Sequence, residues 1–177
     1  MLKIIFIFFL QLFSAYTTGV YNFSIEAAGG GTINFNAYQD KRILIVNIAT
    51  ESIYAAQLAE LQQLYSQHAG DLVVIGIPSN SFGNEPRSSQ ELVNYLSANY
   101  GVSFPVAAAM NVADSSGQVH ELYRWLTLKS SNAVIDTKVK GDFQKYLINR
   151  QGKIVAYFTG STSVTNQFFQ NALTIHQ

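Results

Sequence analysis

Apolar positions along the chain fall into distinct patterns. Near-continuous runs rich in β-branched residues occupy 43–49 (ILIVNIA) and 72–77 (LVVIGI). Such runs predict strands covered on both faces, as in a parallel or mixed central sheet. Three- and four-residue spacing links Tyr54, Leu58, Leu61, Tyr65 and His68, and again Leu92, Tyr95, Leu96 and Tyr100, predicting a helix after each strand. Ser88 with Glu91 makes a capping box before the second helix, and Gly101 stops it. Loose alternation over 21–35, centred on Ala28-Gly29-Gly30-Gly31, predicts a hairpin with a glycine turn. Residues 122–128 predict a short helix. Residues 143–149 and 153–158 flank Arg150-Gln151-Gly152 as an antiparallel pair. Ser163 is placed to cap a last helix with the stripe Phe168, Phe169, Ala172 and Leu173.

Strands alternating with helices and then an antiparallel pair define an α/β class. The expected architecture is thioredoxin-like: a central mixed β-sheet flanked by helices, with an N-terminal β-hairpin. One domain over 20–177 accounts for the pattern, since no repeat, low-complexity stretch or linker divides it. Residues 1–19 read differently. Lys3 precedes ten mostly apolar residues, 4–13, and then small and polar ones, the plan of a secretory signal with Ala15 as the expected cleavage point. The run is shorter than the roughly 20 residues of a membrane span. Export to a periplasm, an extracellular medium or a lumen is therefore expected, with an uncleaved N-terminal anchor as the alternative. Asn22-Phe23-Ser24 matches a glycosylation sequon, relevant only to a eukaryotic secretory route.

Charge narrows the partners. Eleven basic and eleven acidic residues cancel, and no basic stretch accumulates. Nucleic-acid binding and electrostatic attachment to a membrane have no support. Only 12% of residues are charged, so solubility rests on neutral polar groups and a partner-seeking surface is compatible with the composition. No His, Asp or Glu cluster has metal-ligand spacing, and no metal or cofactor is expected. The chain has no cysteine, hence no disulfide and no thiolate nucleophile.

The first strand–helix junction reads V-N-I-A-T-E-S-I-Y-A-A-Q over 46–57, and the second I-P-S-N-S-F-G-N-E-P over 77–86. Further on stand Tyr100-Gly101-Val102-Ser103-Phe104-Pro105, Leu122-Tyr123, and Phe143 with Lys145-Tyr146. In order and spacing these resemble the signature stretches of the glutathione peroxidase family, V-N-x-A-S-x-C-G-x-T-x-Q and F-P-C-N-Q-F-G-x-Q-E-P, with one residue missing before Glu85. The resemblance runs from about Tyr21 to Leu173. It implies a thioredoxin-like fold and a thiol- or selenol-based reduction of hydroperoxides with glutathione or thioredoxin, as in a response to oxidative stress.

Carried over residue by residue, the resemblance places the peroxidatic Cys or Sec at Ser52 and the glutamine at Ser81. The W-N-F triplet falls on Gly141-Asp142-Phe143, and two further cysteine positions fall on Ser79 and Ser97. All four members of the catalytic tetrad are thus replaced. Peroxide reduction needs a sulfur or selenium anion that attacks the O–O bond and becomes a sulfenic or selenenic acid. A serine hydroxyl ionises several pH units higher and has no comparable two-electron step. An ionised Asp142 beside Ser52 would further oppose an alkoxide.

A hydrolytic role for Ser52 needs a base and an orienting group. His68 lies at the far end of the helix, His120 beside a loop, and His176 at the C-terminus, and no G-x-S-x-G elbow surrounds Ser52. Its expected role is a helix N-cap. Asn80 and Asp142 admit two readings: a small polar hollow around Ser52 that binds a neutral ligand or peptide, or Asn80 holding its loop with Asp142 as a solvated turn residue. Glu85-Pro86 is expected to shape the loop, and Trp125 to pack in the core or at its rim. The expected function is a non-catalytic binding or structural protein whose partner is a protein or small-molecule ligand. The alternative is an antioxidant peroxidase.

Overall fold

The computed structural model describes residues 19–114 and 118–175. The N-terminal apolar run and His176 lie outside the described residues. Six strands form two sheets. β1 (Ser24–Glu26) and β2 (Thr32–Asn34) pair antiparallel as the N-terminal hairpin. β3 (Arg42–Ile48), β4 (Leu72–Pro78), β5 (Lys145–Ile148) and β6 (Ile154–Phe158) form a four-stranded sheet in the order β4-β3-β5-β6. β3 runs parallel to β4 and antiparallel to β5, which pairs antiparallel with β6, so the sheet is mixed. The helices are α1 (Gln57–Gln67), α2 (Ser89–Tyr100), α3 (Glu121–Thr127), the single turn α4 (Lys129–Asn132) and α5 (Gln167–Ile175). Among the described residues, no helix is long and apolar enough to cross a membrane.

The continuous apolar runs have the predicted cause. Every residue of β3 and β4 is buried, because the sheet is covered on both faces. Alternate residues feed two separate cores. Ile43, Ile45, Ile75, Ile77, Tyr146 and Ile148 pack with the hairpin residues Ile25, Ile33 and Phe35 and with Trp125 of α3. Leu44, Val46, Ile48, Val74 and Leu147 pack on the other face with Leu58 and Leu61 of α1, Leu92 and Leu96 of α2, and Phe169 and Leu173 of α5. Both strand–helix junctions therefore open at the carboxyl ends of β3 and β4, the usual ligand edge of such sheets.

Caps follow the sequence in part. The Glu91 carboxylate accepts from the Ser88 backbone N–H at 3.0 Å, and Gly101 ends α2 at φ 63°, where L side chains are strained. The last helix departs from expectation. Asn166, not Ser163, accepts from the Phe168 N–H at 2.8 Å and caps α5. Ser163 instead accepts from Thr165 N and donates to Glu60 of α1. With the start moved three residues on, Phe168 turns outward and is 78% exposed, while Phe169 and Leu173 face the core.

Candidate functional site

Ser52 lies in a run of tight turns between β3 and α1, not at the helix start. Ser52 N donates to Ala49 O, Ala55 N to Ser52 O, Gln57 N to Tyr54 O and Leu58 N to Ala55 O, each spanning three residues. Regular α-helix begins only at Gln57. Ser52 therefore caps a turn rather than the helix: its buried Oγ accepts from Tyr54 N at 3.3 Å, its one side-chain hydrogen bond among the described residues. The helix dipole acts chiefly within the first turn of a helix. Ser52 precedes that turn, so even this modest electrostatic help falls short of it.

Among the described residues, no histidine hydrogen-bonds the hydroxyl. His68 is the C-cap of α1, an eleven-residue helix about 16 Å long. His120 is the N-cap of α3, where its Nδ1 accepts from Leu122 N at 3.2 Å. Half-burial lowers its pKa below the ordinary imidazole value, holding it neutral for that role. It is thus a structural group rather than the solvated surface histidine that its loop-side position suggested.

The other substituted positions sit in two loops stitched to the Ser52 turn. Ser81 Oγ shares a hydrogen bond with Ser79 Oγ at 2.9 Å and accepts from Val112 N at 3.1 Å, which ties it to its own loop and the next segment. Gly141 O accepts from Asn47 Nδ2 at 3.0 Å, and the Phe143 N–H donates to Asn47 O at 2.7 Å. Asp142 is 4% exposed, so it is not a solvated turn residue. Its Oδ2 accepts from Asn84 Nδ2 at 2.6 Å. Asn84 O in turn accepts from Glu51 N at 3.0 Å, making Asn84 the bridge between Asp142 and the Ser52 turn. Asn80 holds its loop: it is exposed, and its Oδ1 accepts from Glu85 N at 3.1 Å. Ser97 is exposed on α2.

Two buried groups at this edge carry more of the structure than the sequence suggested. The Glu85 carboxylate, 4% exposed as a residue, accepts from Thr50 N at 2.8 Å, Thr50 Oγ1 at 2.9 Å and Arg87 N at 3.2 Å. Arg87 balances its charge at 4.0 Å and stacks its guanidinium 3.9 Å over the Tyr95 ring of α2. Lys145 is fully buried on β5, donating from Nζ to Phe143 O at 2.8 Å. Desolvation pushes its pKa down to about 8, partly opposed by the negative charge of Glu60. A charged residue inside an apolar run was the available signal for Lys145. For Glu85 it was the Glu-Pro pair at the loop's end.

Gly160 closes the other side. Gln57 Nε2 donates to Gly160 O at 2.7 Å, and a Cβ on Gly160 would fall 2.2 Å from Asp142 O and 2.9 Å from the Tyr54 ring. Gly160→Ala must displace backbone, so a loss of about 3 kcal/mol is expected. A urea midpoint unchanged from wild type would show that the two loops do not pack this way.

At the carboxyl edge of β3 and β4, Asn84 thus joins the Ser52 turn to the segment that carries Gly141 and Asp142. Residues 20–127 match the family described as Glutathione peroxidase. The chain belongs to the glutathione peroxidase family. The match includes Ser52 and Ser81 and ends before Gly141. Among relatives of this glutathione peroxidase homologue, the glutathione peroxidase-like peroxiredoxin GPX3 of Candida albicans is 38% identical over 145 residues, covering 80% of this chain and 85% of that one. The glutathione peroxidase homolog BsaA of Staphylococcus epidermidis is 32% identical over 142 residues, covering 79% and 88%. Among solved structures, Trgpx in its apo form superposes with a TM-score of 0.63 at 24% identity, covering 89% of this chain and 97% of that one. A thiol:disulfide interchange protein of the thioredoxin family from Chlorobium tepidum gives 0.62 at 18%, covering 90% and 96%, which confirms the thioredoxin-like fold.

Proposed function

We propose that this glutathione peroxidase homologue is exported and does not reduce peroxides, acting instead as a binding or structural protein. One observation carries the reading: Ser52, at the family's nucleophile position, is a turn-capping hydroxyl in a chain without cysteine. The chain has no thiol or selenol whose anion could attack an O–O bond and be recycled by a reductant. Hydrolysis is disfavoured because Ser52 lacks the base that would activate it. Export rests on the apolar run after Lys3.

Ser52→Cys is expected to add little turnover, since Ser81, Gly141 and Asp142 supply none of the family's Gln, Trp and Asn. Coupled oxidation of NADPH through thioredoxin or glutathione reductase, with hydrogen or lipid hydroperoxide as substrate, checks this. Robust rescue by the single substitution would show that the three other positions matter less than the reading requires. Capture and crosslinking from the native compartment test the binding half, and a monomer with neither partner nor ligand would count against it.

A further inference from the structure

Tyr157 of β6 stands opposite Tyr146 of β5, their rings stacked with centroids 6.3 Å apart and planes 28° apart. Tyr146 is buried, and its hydroxyl accepts from Gln144 Nε2 at 2.7 Å and meets Thr137 Oγ1 at 3.0 Å. Tyr157 is 44% exposed. A fixed inner ring therefore backs an open outer one, which makes Tyr157 a rigid aromatic platform.

Beside that platform lies a hollow of about 400 Å³, lined among others by Asp136, Thr137, Lys138, Lys140 and Thr159. Its size suits a small molecule. Neither Lys138 nor Lys140 has an ion-pair partner among the described residues. One carboxylate, Asp136, also lines the hollow, accepting from Lys129 N at 2.7 Å, so the two lysines leave its lining with one net positive charge. Two lysines without an ion-pair partner among the described residues, two threonines and the half-exposed Tyr157 thus line one concavity. A larger hollow, about 640 Å³, shares Thr137 and Lys138 but has no aromatic side chain in its lining to select a planar ligand.

We propose that the Tyr157 hollow binds a small planar aromatic anion, its ring stacked on Tyr157 and its anionic group held between Lys138 and Lys140. Stacking is tolerant of ring identity, while the lysines require negative charge. The proposal gives the binding role proposed above a place and a ligand class, and rests on that role. It involves no reaction at Ser52.

The test is titration of the ¹⁵N-labelled mature protein with adenosine monophosphate, adenosine and inorganic phosphate, followed by amide shifts. Adenosine monophosphate is expected to move Thr137, Lys138, Lys140, Tyr157 and Thr159, and to bind at least about tenfold more tightly than either fragment. Tyr157→Ala should weaken it by about five- to a hundredfold, and Tyr157→Phe should keep it. Lys138→Gln with Lys140→Gln should weaken it by about tenfold and remove its salt dependence. The variants' unperturbed spectra elsewhere check that they fold. No shifts at these residues, equal binding of phosphate alone, or full affinity in Tyr157→Ala would each overturn the proposal. Loss of binding with peroxide inertness intact sinks this inference alone; peroxide turnover with binding intact sinks the preceding reading alone.

Discussion

Glu85→Ala is expected to lower the unfolding free energy by about 3–5 kcal/mol, the range for removing one partner of a buried charged network. The substitution strands the Thr50 N–H and Thr50 Oγ1, both of which bond the carboxylate, and leaves Arg87 with only the exposed Glu51 carboxylate as counter-charge. A loss of that size consumes much of the 5–15 kcal/mol typical of a domain. Glu85→Gln should cost less, because an amide oxygen still accepts from the loop. Urea unfolding of the three proteins at one pH measures the order. A change below about 1 kcal/mol for Glu85→Ala would show that the loop does not depend on this carboxylate.

The second large effect is a pH dependence set by Lys145. Its pKa is about 8 in the folded chain against an ordinary 10.5. Between those values the unfolded state binds more protons than the folded state, so stability rises with pH. The cost of burying the ammonium is present in full below pH 8 and disappears as pH rises towards 10.5. The difference corresponds to about 3 kcal/mol. Buried Tyr123 and Tyr146, whose pKa values are raised mainly by desolvation, act in the opposite sense. Above pH 10 the unfolded state loses tyrosine protons first, and stability falls again. A maximum between pH 9 and 10 is therefore expected. Lys145→Met should be more stable than wild type at pH 7 by roughly 1–3 kcal/mol and lack the rise. Guanidinium unfolding at pH 7.5 and 9.5 checks both, and equal slopes in the two proteins would contradict the assignment.

The fold was legible because its signals are long. The runs at β3 and β4 are buried on both faces throughout, so no register or amphipathic ambiguity arises. The capping box of α2 is a purely local arrangement, which a sequence states outright. The start of α1 was not legible in this way. Its periodicity reaches back to Tyr54, yet three-residue turns persist to Gln57 because loop 80–87 fastens the chain at Thr50 and Glu51. The end of the chain failed for a related reason: Ser163 and Asn166 are both competent caps, and the pull of Glu60 on Ser163 decides between them. At the candidate site, the four tetrad positions rest on the resemblance of the motifs alone. The burial of Asp142 was not legible in them, because it depends on Asn84 reaching across from another loop.

What the structure adds about the missing thiol is its surroundings. Ser52 accepts one backbone hydrogen bond within a turn, Asp142 is committed to Asn84, and Ser81 to its own loop. These bonds tie the three side chains to the surrounding loops, while Asp142 Oδ1 has no hydrogen-bond partner among the described residues. The most direct measurement is peroxide consumption by the purified wild-type chain, with hydrogen peroxide and a lipid hydroperoxide, each with glutathione or thioredoxin, against Ser52→Ala and a heat-denatured control. The account predicts that all three consume peroxide at the same background rate. Wild-type turnover above both controls would contradict it.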